Sequence, residues 1–475
     1  MADSPSTLAG SRPVLTRATV IATLSRALDL TEGEPLGHSL RACWVGMQLG
    51  AVLGLDEDTR RQLFYAILLK DTGCSANAHQ VSSWFGTDDR AAKRDLKMVN
   101  WSRLYDAIRY AMRNAAPGGP VVRRVRQIAA LGRRGPGAAR ELVRERCTVG
   151  AALVRRLGWD DMVPDAVLHL DEHWDGSGYP LGIGGSDIPL LARIANLAQQ
   201  VEIAWSRGGA PAARDVVRAR RATWFDPELV DALLTMARAP AFFDALGSIR
   251  EPADLAVVSP AAPAEDTVSV ESGLVSMAEV FAEIVDRKSP WTVHHSERTA
   301  LYAGRVAEQM GWGPVVVQET VLSGFYHDLG KLGVSNLILD KPGRLTAEEF
   351  RAVQEHPALT AEILSPLSAE GTLHRVAAAA AAHHERLDGS GYHRGLSGGD
   401  IPPSGTVVAV ADVFDALTSA RPYKAGMTPD DALGLMMPEA GRQLAGDAVA
   451  ALAELVRAGA LPIADPSEGV AGVLG

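Results

Sequence analysis

Apolar residues recur at spacings of three and four along most of this chain, and few stretches show the strict alternation of a strand. Residues 19–30 and 39–53 carry the period clearly, and 347–355 and 363–382 follow it. Ala, Leu, Arg and Glu, which lose little side-chain freedom in a helix, are abundant. The pattern predicts an all-α protein. The alanine run 377–382 fits a helix with close neighbours, one that delivers the pair His383-His384 at its end. Periodicity fails over 249–271, where Ser259-Pro260-Ala261-Ala262-Pro263-Ala264-Glu265-Asp266 is Pro/Ala-rich and acidic and reads as a linker. It separates a first half, 18–248, from a second, 272–460, and 461–475 reads as a poorly ordered tail.

The two halves echo one another. Gly37-His38-Ser39-Leu40-Arg41 matches His294-His295-Ser296-Glu297-Arg298, and Leu69-Lys70-Asp71-Thr72-Gly73-Cys74 matches Tyr326-His327-Asp328-Leu329-Gly330-Lys331; both pairs lie 257 residues apart. Trp174-Asp175-Gly176-Ser177-Gly178-Tyr179-Pro180 matches Leu387-Asp388-Gly389-Ser390-Gly391-Tyr392-His393 at an offset of 213, so the first half carries a net insertion of 44 residues, within 79–140. Two copies of one helical domain is the simplest account. Arg123, Arg124, Arg126, Arg133, Arg134, Arg140, Arg144 and Arg146 make the insertion basic. A solvated face explains them, nucleic-acid binding is the sharper alternative, and no helix-turn-helix or zinc finger supports it.

Composition narrows the class. A formal net charge of −10 argues against a protein that coats nucleic acid. Three widely spaced cysteines, Cys43, Cys74 and Cys147, form no disulfide framework or zinc ribbon. No signal-peptide core and no run of about 18 apolar residues is present, so the chain reads as cytosolic, with no membrane partner.

The histidines supply the chemistry. Eight of twelve fall after residue 290. The adjacent pair His327-Asp328 offers an imidazole and a carboxylate to one point, which is what two neighbouring divalent metals need from a bridge. Alone, such a pair also fits a solvated helix end. His295, His356, His383, His384 and Asp412 keep it company, and several histidines beside acidic residues read as a metal cluster.

These residues resemble the HD-GYP subgroup of the HD phosphohydrolases. The marks are His295-Ser296-Glu297-Arg298, His327-Asp328-Leu329-Gly330-Lys331, Glu355-His356-Pro357, the stretch from His383 to Tyr392, and the stretch from Ala411 to Lys424. The resemblance covers about 275–455 and implies tandem HD-type helical bundles acting on a cyclic dinucleotide, cyclic di-GMP foremost. It implies one metal site from His295, His327, Asp328 and Asp412, and a second from His356, His383 and His384 with Asp328 bridging. Two divalent transition metals, Fe, Mn or Zn, would generate the attacking hydroxide. Lys331 would reach the phosphate. Arg421, Tyr423 and Lys424, with Asp415, would contact the substrate; a solvated helix end is the plain alternative for the first three, and orienting a ligand or base is another role for Asp415. Some members of the group carry a third metal on a Glu four residues before the first ligand histidine. Trp291 stands there, so two metals are expected. The name-giving Gly-Tyr-Pro reads Gly391-Tyr392-His393, with His393 either a surface group or an extra substrate contact.

The first copy lacks most of the set. Lys70 faces His327, Cys74 faces Lys331, Cys147 faces His356, Leu170 and Asp171 face His383 and His384, and Gln199 faces Asp412. A lysine where a cation would sit repels metal. The first half is therefore expected to be a scaffold, a homodimer surface or a dock for a signalling partner, its Gly-Ser-Gly-Tyr-Pro loop structural or part of that dock. The second half is expected to work alone. A nucleotide substrate is implied, with a phosphohydrolase on another nucleotide, or a regulatory protein, as the competing readings.

Overall fold

A computed structural model describes residues 16–99, 104–135, 137–159, 161–258, 273–367, 371–420 and 425–461. Among them every regular element is a helix; isolated bridges join Arg221 with Phe225 and Ala440 with Leu444. The all-α expectation holds. No helix among the described residues is long and apolar enough to cross a membrane.

The predicted helices are present with sharper ends. Arg17–Thr31 begins where the Thr16 hydroxyl accepts from the Thr19 amide at 3.2 Å, and His38–Val52 follows from Gly37 in the left-handed conformation. Ala347–Gln354 opens with a capping box between Thr346 and Glu349, as its acidic first turn invites. One expectation fails. The period over 363–382 is not one helix: His356–Leu364 ends, Ser365–Leu367 tightens to a 3-10 turn, and a new helix, Thr372–Ala381, starts after Gly371. Pro366 cannot donate to a continuing helix, and Gly371 has φ +87°, a conformation that other residues resist. Hydrophobic period survives such a break because both pieces face the same core.

The residues left unmatched by the repeat form four helices, Ala78–Phe85, Asp89–Leu96, Leu104–Asn114 and Val121–Arg134, with a small core of their own around Phe85, Tyr110 and Leu142. Residues 252–258, within the expected linker, are a 3-10 turn and a short helix whose Val258 is buried. The rest of that linker, and the tail beyond 461, lie outside the described residues.

One apolar core runs through both halves. Ile21, Leu24 and Leu28 of Arg17–Thr31 share it with Leu329, Leu332, Ile363, Leu364 and Leu367 of the second half. The helix Arg17–Thr31 packs directly on the turn Leu329–Gly333 and on His356–Leu364. A second core joins His295–Gln309, Pro403–Thr418, Pro429–Met436 and Gly446–Arg457 through Tyr302, Phe414 and Leu452. Together these cores hold four helix ends around one buried point of the second half.

Candidate metal centre

Each histidine at that point sits at a helix boundary. His295 opens His295–Gln309, His327 caps Pro314–Tyr326, His356 opens His356–Leu364, and His383 follows the cap of Thr372–Ala381. Ends rather than middles let rings from four helices converge. Gly330 permits the closest approach: a Cβ there would lie 1.9 Å from the carbonyl oxygen of His356, and Gly73 repeats this against Arg146 in the first copy.

Asp328 is the centre. Its Oδ2 lies 3.4 Å from Nε2 of His295 and 3.2 Å from Nε2 of His327, and its Oδ1 lies 3.3 Å from Nε2 of His356 and 3.9 Å from that of His383. Asp412 Oδ1 stands 3.3 Å from Nε2 of His295 and 3.9 Å from that of His327. One carboxylate thus faces two histidine groups, one with each oxygen. His384 joins His356 and His383 in the second group, its ring stacked on Tyr392 at 4.7 Å.

The far side of each ring is tied down. Nδ1–H of His327, His356 and His383 donates to the carbonyl of Gly324, Val353 and Ala380, at 2.6, 2.6 and 2.7 Å. His295 donates through Nδ1 to Asp415 at 2.7 Å. These bonds turn the Nε2 lone pairs inward, the arrangement that orients histidine ligands at metal sites. Nε2 of His295 and His327 and Oδ1 of Asp328 are buried with no hydrogen-bond partner. Buried polar atoms are normally satisfied, and inward lone pairs without donors are what a cation satisfies. The donor set, imidazole and carboxylate, suits a divalent transition metal.

The electrostatics agree. Burial opposes charge on His295, but Asp328, Asp412 and Asp415 outweigh it and raise its pKa well above the ordinary imidazole value, marking a place that favours positive charge. Burial also opposes charge on Asp328 and Asp412; the neighbouring imidazoles, with Lys331 beside Asp328, nevertheless hold both well below the usual carboxylate range. Burial pushes His383 and His384 well below the free value and lowers His356, keeping these rings in the neutral form that ligates.

The structure brings together His295, His327, Asp328, His356, His383, His384 and Asp412, with the Lys331 ammonium on Asp328 Oδ2. Asp415, expected as a substrate contact or as a group that orients a ligand, is 1% exposed behind His295 in the second of these places, where it also accepts from Arg298. Its place three residues after Asp412 puts it one helical turn on, so it orients a ring rather than meeting a ligand. Arg421, Tyr423 and Lys424 lie outside the described residues. His393 is half-buried with Nε2 unpartnered, and the bond before it is cis, as is Tyr179-Pro180 in the first copy. Arg298 and Glu385, given no role from sequence, are structural partners here. Glu385 accepts from the amides of Arg394 and Leu396 at 2.8 and 2.9 Å and so pins the loop beside His384. Both stand inside motifs, but a motif does not say which of its residues faces the backbone.

The first copy keeps this frame and changes its filling. His38 donates to Glu202 as His295 does to Asp415, Arg41 pairs with Glu202 as Arg298 pairs with Asp415, and Ser39 bonds Asp29 as Ser296 bonds Asp286. Glu172 holds the amides of Leu181 and Gly182 as Glu385 holds its loop. At the centre, the Lys70 ammonium contacts Asp71 Oδ2 and the Lys97 ammonium lies 3.0 Å from Asp71 Oδ1. Each oxygen of the aspartate facing Asp328 therefore has a lysine where the second copy has histidines. Lys97 also pairs with Glu32 at 2.9 Å, so the acidic group Glu32, Asp71 and Cys74 already holds a cation of its own. Burial opposes charge on Asp71, yet the two lysines keep its carboxylate well below the usual range. Lys70 was legible from the repeat; Lys97 was not, because it comes from the insertion. Lys70→Ala is expected to cost about 1–3 kcal/mol, since Asp71 Oδ2 is left buried without its donor while Lys97 stays on Oδ1. Urea unfolding followed by helical circular dichroism reads this, and a stability change below about 1 kcal/mol would remove Lys70 from the stabilising set.

The basic insertion resolves by residue. Arg144 pairs with Glu141 at 2.7 Å on the surface, Arg134 lies over the Trp84 ring and Arg140 over that of Tyr179, while Arg146 is buried on Asp171.

Comparison with known proteins agrees with this geometry. The family model for the HD domain matches residues 137–229 and 279–447. A 3'3'-cGAMP-specific phosphodiesterase of Vibrio cholerae is 39% identical over 416 residues, covering 87% of this chain and 88% of that one. A cyclic di-GMP phosphodiesterase of Thermotoga maritima is 44% identical over 154 residues, 32% of this chain and 42% of that one. A solved structure of a cyclic GMP-AMP specific phosphodiesterase of V. cholerae superposes with a TM-score of 0.64 at 34% identity, covering 94% of this chain and 98% of that one. With a family model matched in both copies and a relative aligned over most of both chains, the chain belongs to the HD-domain family, as a metal-dependent phosphodiesterase of the HD-GYP kind.

Proposed function

We propose that the chain hydrolyses a 3'3'-linked cyclic dinucleotide, cyclic GMP-AMP in preference to cyclic di-GMP, at a centre of two divalent transition metals. The observation that carries the substrate is the relative specific for cyclic GMP-AMP, whose alignment spans 87% of this chain and so runs through the degenerate copy as well as the complete one. Cyclic di-GMP is the second reading, favoured by the higher identity, 44%, of the T. maritima enzyme over its shorter match.

His295, His327, Asp328 and Asp412 would hold one metal, and His356, His383 and His384 the other, with Asp328 between them. When bound, Fe, Mn or Zn at such a centre acidifies water and offsets charge on the phosphoryl oxygens. The residues do the rest. Nδ1–H bonds to fixed carbonyls and to Asp415 hold the rings at their angles. Lys331, one turn past Asp328 and 18% exposed along its side chain, offers a positive charge to a phosphate at the mouth of the site. Arg421, Tyr423 and Lys424 are proposed as further phosphate or base contacts. Trp291, which cannot ligate, supports two metals over three.

Metal analysis after anaerobic purification is expected to give about two transition metals per chain. In a hydrolysis screen over cyclic GMP-AMP, cyclic di-GMP and mononucleotides, kcat/KM for cyclic GMP-AMP should exceed that for cyclic di-GMP by about tenfold or more. The reverse order would install the second reading. A metal-loaded chain that cleaves only mononucleotides would remove both.

A further inference from the structure

The insertion of the first half reaches the edge of the catalytic site. Asp89, first residue of the helix Asp89–Leu96, is fully buried against the second half. One of its oxygens lies 3.0 Å from the ammonium of Lys288, and the other accepts from the backbone amide of Asn336 at 2.9 Å. Asn336 passes the connection on, its side chain donating to the carbonyl of Lys288 and to Asp340, each at 2.7 Å. Asp340 also accepts from Ser289 at 2.6 Å and meets His79 of the insertion at 2.9 Å. Arg90 donates to the carbonyl of Gly333. Two segments of the catalytic half, 288–289 and 333–340, are thus held in register by residues of the other half.

Those segments have a second face. Lys288, Trp291, Ile338, Leu339 and Lys341 line a cavity of 180 Å³ together with Lys331, whose ammonium touches the central Asp328. The cavity therefore adjoins the metal-ligand cluster on the side from which Lys331 points. Asp89 lines none of it. The second copy has no counterpart of Asp89, which lies in the insertion, and the residue of the first copy that faces Lys288 is Thr31. A buried ion pair is a costly way to add stability, and its best attested use is to fix a geometry.

We propose that Asp89 is a positioning residue for substrate binding: from the degenerate half it holds Lys288 and Asn336 so that their segments wall the cavity beside Lys331, where one nucleotide of the cyclic dinucleotide sits. This rests on the cyclic dinucleotide reading above. The metal ligands hang on other helices, so the effect falls on binding and not on the chemical step.

The test uses the full chain with both cyclic dinucleotides, reading KM, kcat, metals per chain and thermal stability together. Asp89→Asn should raise KM about tenfold or more while kcat stays within about threefold and metal content is unchanged. Asp89→Glu should recover part of the loss. The pair Asp89→Leu with Lys288→Met removes both charges of the close pair and leaves Lys93, 4.0 Å from Asp89, on the Cys74 carbonyl, and it should raise KM as well, because the Asn336 amide still loses its acceptor. If a folded Asp89→Asn chain, or the folded charge-free pair, keeps the wild-type KM and only melts earlier, Asp89 is a strut between the halves and the inference falls. A wild-type chain that hydrolyses neither dinucleotide would overturn the functional reading and this inference with it.

Discussion

Replacing Asp328 with Ala is expected to abolish hydrolysis and to remove most of the metal. Among the described residues no other carboxylate lies within 4 Å of both histidine groups: Oδ2 addresses His295 and His327, and Oδ1 addresses His356 and His383. Its loss leaves each group with imidazoles and, on one side only, Asp412. The expected fall in kcat is about three orders of magnitude or more, with metal content dropping from two per chain towards none. Asp415→Asn supplies the contrast. It keeps every proposed ligand and weakens the hydrogen bond that orients His295, along with the Arg298 pair behind it, so a loss of about 10–100-fold in metal affinity or activity is expected. Equilibrium dialysis against the metal, with a hydrolysis assay on the same samples, separates the two. Wild-type turnover in a metal-loaded Asp328→Ala chain would place the chemistry elsewhere.

Cutting the chain between its halves is expected to have the next largest effect. Every proposed ligand lies in 272–460, and the sequence leads one to expect that this segment works alone. The shared core argues otherwise. Separation would expose Leu329, Leu332, Leu364 and Leu367 where Arg17–Thr31 now covers them, and would strand the buried Lys288 ammonium without Asp89. Exposed patches of that kind drive association, and an unpaired buried charge costs about 3–5 kcal/mol. The isolated segment should aggregate or melt far below the intact chain, with activity under about 1% of it. Co-expression with residues 1–258 should restore a soluble, active pair. A monomeric 272–460 fragment with full activity would show that the halves merely touch.

What could be read from the sequence was whatever repeats at fixed spacing. The helices follow from the apolar period, and the convergence of His295, His327, Asp328, His356, His383, His384 and Asp412 follows from motifs whose spacing matches a known arrangement. The break at Pro366 and Gly371 was hidden because the apolar stripe continues across it. For Asp415 the sequence leaves open both a substrate contact and the orienting of a ligand, because a carboxylate one turn from a ligand can face either the ligand or the cavity, and only packing decides. Lys97 and Asp89 were out of reach altogether. They act on residues far along the chain from an insertion that has no second copy to be compared with.

The lysines of the first copy make its history hard to reverse. Asp71 is neutralised by Lys70 on one side and Lys97 on the other, and Lys97 is shared with Glu32. A lineage placing histidine at position 70 would give up one of the two ammonium groups on a buried carboxylate while Lys97 still occupied the other, and Cys147, Leu170, Asp171 and Gln199 would still be foreign to a metal. Each single step back is uphill until several are made together. The duplicated half is therefore caught behind a ratchet: drift can refine it as a partner for the catalytic half, but selection acting one substitution at a time has no passable road back to a second active centre.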